Sequence, residues 1–325
     1  MRRRHALRLV PASALSLLWP PFAASQGMAR IAWVSPAPPS DSGLFLDALR
    51  LGLRELGYIE GRSITIAPYW ADNSLPLLDQ KVNEAIASNP QVIVTQGTAV
   101  FPAQRATRIL PIIFGFSGDP VEGGVVQSLA RPGGNLTGIS YMTIELVGKR
   151  LQLLKETLPS LRHLAVVAFP QHPGDKSERR ASETAAAALG LNMEYFEARG
   201  SNDVLAALSA IEKTRAEAVM AFPVQSVIAV RERVAEWSLR TRIPTASGWS
   251  QFVDGGNLMS YGPSLSAASH RLAHFVDRVL KGAKPADLPV EQPTRVELVI
   301  NARTAKALGI QIPPSILLRA DRVIE

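Results

Sequence analysis

The stretch from Val92 to Pro120, VIVTQGTAVFPAQRATRILPIIFGFSGDP, decides the fold. A short apolar run at 92–95 is followed by an amphipathic segment at 99–107 and by a second apolar run at 111–116. Short runs that are apolar throughout are typical of strands buried on both faces of a parallel sheet. Because parallel neighbours need a crossover, usually a helix, the stretch predicts a strand–helix–strand unit.

The same alternation continues on both sides of this unit. Strands are predicted at 29–35, 63–70, 135–140, 163–169, 191–196, 217–222, 244–247, 257–261 and 296–300. Helices are predicted at 45–56, 75–88, 143–158, 176–189, 202–214, 225–240 and 264–280. Two successive series of this kind predict an α/β protein with two doubly wound, Rossmann-like lobes.

The chain is expected to cross between the lobes near Ser140 and Tyr261. We therefore assign 28–139 and 262–292 to an N-terminal lobe, and 140–261 and 293–325 to a C-terminal lobe. Each lobe is long enough to bury a core of its own.

The charge of the chain is concentrated at its start. The formal net charge is +7 over 325 residues, yet four arginines lie in the first eight positions and no acidic residue precedes Asp41. An apolar run at 9–19 and the small residues Ala23-Ala24-Ser25 follow, which is the pattern of a cleaved signal peptide at 1–25. The run is shorter than the ~20 residues that span a bilayer. Without this leader the charge is close to balanced, so nucleic acid is not an expected partner.

The chain contains no cysteine. This excludes a disulfide scaffold, a cysteine nucleophile, a Cys-ligated metal centre and the lipid-bearing cysteine of a lipoprotein. Arg3-Arg4 also occurs in twin-arginine leaders, but the flanking residues favour the general secretory route. We therefore predict a periplasmic protein that is not lipid-anchored.

Small, polar and aromatic residues follow the predicted strands, where ligands bind in doubly wound folds. In the first half these are Ser35, Ser42, Gly97, Thr98, Ser117 and Asp119. In the second half they are Phe169, Gln225, Ser226 and Trp249, and Tyr141 and Met142 lie at the first crossing. Hydroxyls and free N–H groups at helix starts suit an anionic group, and Trp249 suits a planar one. Each residue also fits a helix cap, a turn or loop packing.

Catalytic signatures are missing from these loops. Gly115-Phe-Ser-Gly118 lacks the final glycine of a nucleophile elbow, and neither a dinucleotide fingerprint nor a phosphate-binding loop occurs. His270 and His274 lie one helical turn apart without an acidic partner nearby in sequence. Asp119 would need a partner such as His172 or Glu122 to act as an acid or base. We predict no enzyme activity, no metal and no cofactor.

Two long segments carry a family resemblance. They are SGDPVEGGVVQSLARPGGNLTG at 117–138, and LVINARTAKALG at 298–309 with IPPSILLRADRVIE at 312–325. They resemble the ABC-transporter substrate-binding proteins, a family that includes binders of tryptophan and other aromatic amino acids. The resemblance implies the type I periplasmic binding fold, with two lobes joined by a multi-strand hinge. It also implies closure over a small ligand that is handed to a permease in the inner membrane.

The resemblance further implies ligand contacts. Thr98 and Ser117 match positions that hold the ligand carboxylate in amino-acid binders, and Asp119 belongs to the same loop. Where those binders commonly carry an Asp-Asn pair, this chain has Gln225-Ser226, so an acidic partner for an ammonium group is missing. We therefore expect a monomer that binds a neutral or carboxylate-bearing, aromatic compound. The alternative is an exported ligand sensor, or an enzyme, on the same scaffold.

Overall fold

The computed structural model describes residues 27–325, so the predicted signal peptide at 1–25 lies outside the described residues. The strands are β1 (Ala29–Ser35), β2 (Ile64–Trp70), β3 (Val92–Gln96), β4 (Ile112–Phe116), β5 (Leu136–Ser140), β6 (His163–Ala168), β7 (Asn192–Glu197), β8 (Ala218–Ala221), β9 (Thr245–Ser247), β10 (Met259–Pro263), β11 (Val296–Asn301) and β12 (Arg322–Ile324). The helices are α1 (Pro39–Glu55), α2 (Leu75–Ala87), α3 (Val100–Ala106), α4 (Val147–Thr157), α5 (Asp175–Leu189), α6 (Ser201–Ile211), α7 (Gln225–Ala229), α8 (Arg231–Thr241), α9 (Ser250–Asp254), α10 (Leu265–Leu280), α11 (Ala302–Leu308) and α12 (Pro314–Leu317).

The strands form two sheets, which confirms the predicted α/β fold with two lobes. The first sheet has the order β2-β1-β3-β4-β5, and all its strands are parallel. The second has the order β12-β11-β10-β9-β8-β6-β7 and is parallel except where β10 meets β11. The strand order reverses between β1 and β3 in the first sheet and between β6 and β8 in the second. Such reversals open a crevice at the carboxyl ends of the strands.

The chain passes between the two sheets three times. It leaves the first sheet after β5, returns after β10 when α10 packs against α1, β4 and β5, and leaves again before β11. The segment before β11 lies along the first sheet, where Thr137 Oγ1 donates to the Leu288 carbonyl at 2.6 Å and Glu291 N donates to the Gly138 carbonyl at 2.9 Å. This path supports the proposed lobe limits near 140, 262 and 292, which stay a prediction.

Several element boundaries differ from those predicted. Helix α1 begins at Pro39 and not at 45, because a proline at the first helical position has the right φ and needs no N–H partner. The helix predicted at 225–240 is broken at Val230, which leaves α7 and α8 as separate helices. Helix α4 begins at 147 and not at 143. The short elements α9, α12 and β12 were not predicted, since such lengths give no periodic signal.

Gly115 in β4 shows how the sheet makes room for the site. A Cβ at this position would lie 2.0 Å from the Tyr141 hydroxyl and 2.8 Å from Gln96 Oε1. The glycine therefore lets the Tyr141 hydroxyl approach the backbone of β4 closely. In the part of the chain that the structure describes, we find no helix with the length and apolarity needed to cross a membrane.

Candidate functional site

A cavity lies between the carboxyl ends of the two sheets. Residues that follow each of the strands β1 to β9 line it. The strand-end loops of the two sheets therefore face each other across one space.

Eight of the residues predicted from the sequence line this cavity: Gly97, Thr98, Ser117, Tyr141, Phe169, Gln225, Ser226 and Trp249. The structure brings them together from six different strand ends. Their role in ligand binding stays a prediction. Four other predicted residues, Ser35, Ser42, Asp119 and Met142, are not part of the cavity wall.

Ser35 and Ser42 hold the turn between β1 and α1. Ser35 Oγ donates to Ser42 Oγ at 2.9 Å and accepts a hydrogen bond from Ala37 N at 3.2 Å. Both serines are buried. Their hydroxyls are therefore used inside the turn, which fits the capping alternative better than a ligand contact.

Asp119 also stabilises its own turn. Its Oδ1 accepts hydrogen bonds from Val121 N at 2.7 Å and Glu122 N at 3.0 Å. Within the described residues, neither His172 nor the Glu122 carboxylate forms a hydrogen bond with it. The partner that catalysis by Asp119 would need is thus missing from the described chain. Met142 has a left-handed backbone (φ 53°) at the crossing between the sheets and lies outside the wall.

Thr98 and Ser117 form the polar part of the wall on the first sheet. Gly97 has a φ of 51° and begins a short 3-10 turn that leads into α3, which leaves N–H groups at the cavity edge. Within the described residues, neither hydroxyl donates or accepts a hydrogen bond. Both are therefore available to a carboxylate or another acceptor.

Aromatic rings form the floor of the cavity. Tyr141 is buried and its hydroxyl donates to Gln96 Oε1 at 2.9 Å, while burial raises the pKa of this phenol well above its ordinary value. The Trp249 ring meets Tyr141 at a centroid distance of 6.4 Å and Phe45 at 6.3 Å, both edge to face. Because these contacts fix the indole, it is a rigid part of the floor.

The wall on the second sheet includes two residues that sequence reasoning missed as ligand contacts, His172 and Arg199. They follow β6 and β7, so the rule that ligands bind at strand ends was the signal that could have found them. Burial lowers the pKa of His172 to about 3, so this ring is neutral at neutral pH. The cavity wall contains no aspartate and no glutamate. Arg199 therefore supplies a positive charge to the wall, and no carboxylate supplies a negative one.

Polar contacts join the two lobes at the rim of the cavity. Ser201 Oγ at the start of α6 donates to Asp41 Oδ2 on α1 at 2.6 Å. Ser177 Oγ on α5 donates to Glu122 Oε2 at 3.1 Å, and Arg180 lies 3.8 Å from the same carboxylate. These contacts describe a closed arrangement of the lobes.

Two histidines considered as metal ligands have other surroundings. His270 Nε2 lies 2.8 Å from Glu55 Oε2, an acidic partner that the sequence did not place beside it. Within residues 27–325, no cluster of three or more metal-ligating side chains forms.

Comparisons with known proteins agree with this geometry. A curated relative, the tyrosine-binding protein of Clostridioides difficile strain R20291, is 26% identical over 262 residues, which cover 80% of this chain and 74% of the relative. A conserved domain protein from Vibrio cholerae matches with a TM-score of 0.83 at 27% identity, over 91% of this chain and 99% of the other. An ABC domain from Streptococcus pneumoniae in complex with L-Trp matches with a TM-score of 0.80 at 24% identity, over 91% and 100%.

The family assignment follows from the match of a family model. The profile described as ABC transporter substrate binding protein matches residues 44–324, nearly all of the described chain. The family is one of substrate-binding proteins, one relative is named as a tyrosine-binding protein and another is in complex with L-Trp, so the prediction that this chain is not an enzyme is confirmed. The chain belongs to the ABC transporter substrate-binding protein family.

Proposed function

We propose that this chain is the periplasmic binding component of an ABC import system, and that its ligand is a small acid without an ammonium group. The leader pattern at 1–25 supports export. The ligand would be held between the lobes as a monomeric complex and released to a permease in the inner membrane.

The observation that carries the ligand class is the charge of the cavity wall. No carboxylate lines it, whereas Thr98, Ser117 and Arg199 offer hydrogen-bond donors. An α-amino acid would bring its ammonium group into this space without an anionic partner, which is unfavourable in a desolvated site. A carboxylate meets hydroxyls and helix-start N–H groups instead.

The relatives support an aromatic skeleton. One is named for tyrosine and one is in complex with L-Trp, and the floor of this cavity is likewise aromatic. We expect the ligand of this chain to differ from these amino acids by the absence of the ammonium group. We therefore propose an aromatic carboxylate as the best-fitting class.

Binding needs no chemical step. The ligand contacts residues after strands of both sheets, so it contacts more protein in the closed arrangement than in the open one. A ligand shifts an equilibrium only by its difference in affinity for the two states, and this difference supplies the driving force for closure.

Matched ligand pairs test the proposal by thermal shift. Indole-3-propionate and L-tryptophan differ by the ammonium group, as do 3-(4-hydroxyphenyl)propionate and L-tyrosine. A ligand at about 100 times its Kd adds about 2.7 kcal/mol to the free energy of unfolding, which is readily seen as a higher Tm. We expect the deaminated member of a pair to give the larger shift. Stabilisation by the amino acids alone would refute the ligand class.

A second measurement tests transport. Deletion of the gene should abolish uptake of the labelled acid by intact cells, and the protein should be found in the periplasmic fraction without its leader. Unchanged uptake combined with tight binding would favour a sensor.

A further inference from the structure

Two glycines from different sheets face each other at the edge of the cavity. Gly118 follows β4 of the first sheet, and Gly174 follows β6 of the second. A Cβ at Gly174 would lie 3.2 Å from Gly118 Cα and 3.3 Å from the Ser117 carbonyl oxygen, and a Cβ at Gly118 would lie 3.2 Å from Gly174 N. Carbon atoms in ordinary contact are about 3.5–4.0 Å apart, so the two backbones meet with no space for a side chain.

The backbone conformation of these residues does not require glycine. Gly174 has φ −94° and ψ −1°, which other residues also adopt in turns, and neither glycine has a positive φ. Of the three atoms nearest to a Cβ at Gly174, two belong to the loop after β4 and one, His172 Cε1 at 3.3 Å, belongs to its own loop. The absence of a side chain is therefore needed mainly where the two loops meet.

Hydrogen bonds hold both loops in place. In the first loop, the Ser117 carbonyl accepts a hydrogen bond from Thr143 Oγ1, which lies on the segment that crosses between the sheets. In the second loop, Phe169 N donates to Asp175 Oδ1 at 3.2 Å, and His172 N donates to the Phe169 carbonyl at 2.8 Å. Backbone that is held in this way cannot move aside as the end of a flexible side chain can. The contact therefore limits how closely the two loops approach.

We infer that Gly118 and Gly174 form a stop that sets how far the two lobes close over the ligand. This inference rests on the proposed function, in which the lobes close. Ser117 and Pro173 are the chain neighbours of the two glycines and line the cavity, so the spacing of the glycines sets the spacing of the two walls at this edge. A side chain at Gly174 would hold the walls apart and weaken binding. The two glycines are thus positioning residues for ligand binding.

Disulfide trapping measures closure without a ligand. The chain has no cysteine, and Ser201 Oγ lies 2.6 Å from Asp41 Oδ2 in the closed arrangement, so the D41C/S201C variant should cross-link when the lobes close. The rate at a fixed concentration of oxidised glutathione is followed by the loss of free thiol. We expect Gly174→Leu in this background to slow cross-linking by about tenfold or more, the effect of overpacking a close contact. Gly174→Ala should slow it less, because its side chain is shorter.

Gly148 provides the matched control. It is exposed on α4, which packs against α5, the helix that follows Gly174. A Cβ at Gly148 would lie 3.9 Å from Ala185 Cβ, which is an ordinary contact. Gly148→Ala and Gly148→Leu should therefore leave the rate of cross-linking within about twofold of that in the D41C/S201C background.

Binding and stability distinguish a stop from a role in folding. With Asp41 and Ser201 unchanged, Gly174→Leu should raise the Kd of indole-3-propionate, measured by calorimetry, by about tenfold or more. The Tm of the ligand-free protein should not fall, because in the open arrangement the added side chain meets no atom of the loop after β4.

The outcomes separate the stop from the proposed function. Equal rates of cross-linking with and without Gly174→Leu would overturn the stop and leave the proposed function intact. If Gly174→Leu slows cross-linking but the wild type does not bind indole-3-propionate, the proposed ligand class fails and the stop stands. If the D41C/S201C variant does not cross-link at all, the proposed closure fails, and the stop fails with it. Gly174→Ala remains informative if Gly174→Leu does not fold.

Discussion

The contact between Asp41 and Ser201 is expected to control closure of the two lobes. Ser201 Oγ donates to Asp41 Oδ2 at 2.6 Å, and Asp41 is 5% exposed, so this is a shielded hydrogen bond to a charged group. The other rim contacts join Glu122 to Ser177 and Arg180, and the Glu122 and Arg180 side chains are 57% and 73% exposed. Such exposed pairs contribute little. Ser201→Ala should therefore remove the larger stabilisation of the closed state.

The size of the effect follows from the type of hydrogen bond. Bonds to charged groups contribute about 1.5–3 kcal/mol, and the lower end applies because Ser201 is only partly buried. A change of about 1.5 kcal/mol moves the equilibrium between closed and open forms by about tenfold. Because the ligand needs the closed form, its Kd should rise by up to the same factor.

Distances between spin labels measure the closed population directly. The chain has no cysteine, so cysteines introduced at Asn83 on α2 and Ala206 on α6 are the only labelling sites. In Ser201→Ala the long-distance population should grow, whereas Ser209→Ala, an exposed change on the same helix, should leave the distribution unchanged. An unaltered distribution in Ser201→Ala would refute the role of this contact.

Three further predictions concern the wall of the site and residues packed behind it. Thr98→Val combined with Ser117→Ala should weaken acid binding by about 100-fold or more in calorimetry, with an unchanged apo Tm, since neither hydroxyl is bonded within the protein; a large loss of apo stability would mean that both are structural. Gly115→Ala should lower the free energy of unfolding, measured in urea, by about 1–3 kcal/mol, because its Cβ would lie 2.0 Å from the Tyr141 hydroxyl. The control Gly43→Ala should cause no such loss, because a Cβ at Gly43 has no atom within 4 Å. Burial raises the pKa of Glu178 to about 8, so its contribution to stability is present below the ordinary value of 4.5 and is lost as the pH rises through 8. The stability of the wild type should therefore fall relative to Glu178→Gln between pH 5 and pH 9, and parallel curves would contradict this.

The two sheets were predictable because their central strands are buried on both faces. Residues 92–96 and 112–116 are buried throughout, and they are apolar except for Thr95 and Gln96 at the end of β3. The break at Val230 was not predictable, since the periodicity of 225–240 continues across it. The helical periodicity indicates which face of a helix is buried, but it does not reveal a break at a single residue.

Site residues were predictable where their position after a strand is enough to place them at the cavity. Thr98 and Trp249 directly follow strand ends, and parallel strands bring such positions to one edge. Ser35 and Asp119 occupy similar positions but bond within their own turns, because a small polar side chain serves a turn as readily as a ligand. His172 follows the end of β6, so the same strand-end rule could have found it.

The central claim is that the cavity binds a small acid without an ammonium group. Native mass spectrometry of the protein purified from its own host, followed by release and identification of the bound molecule, tests it most directly. The account predicts one carboxylic acid without an amino group per chain, absent from the Thr98→Val, Ser117→Ala double variant. Recovery of an α-amino acid at one molecule per chain would contradict the account.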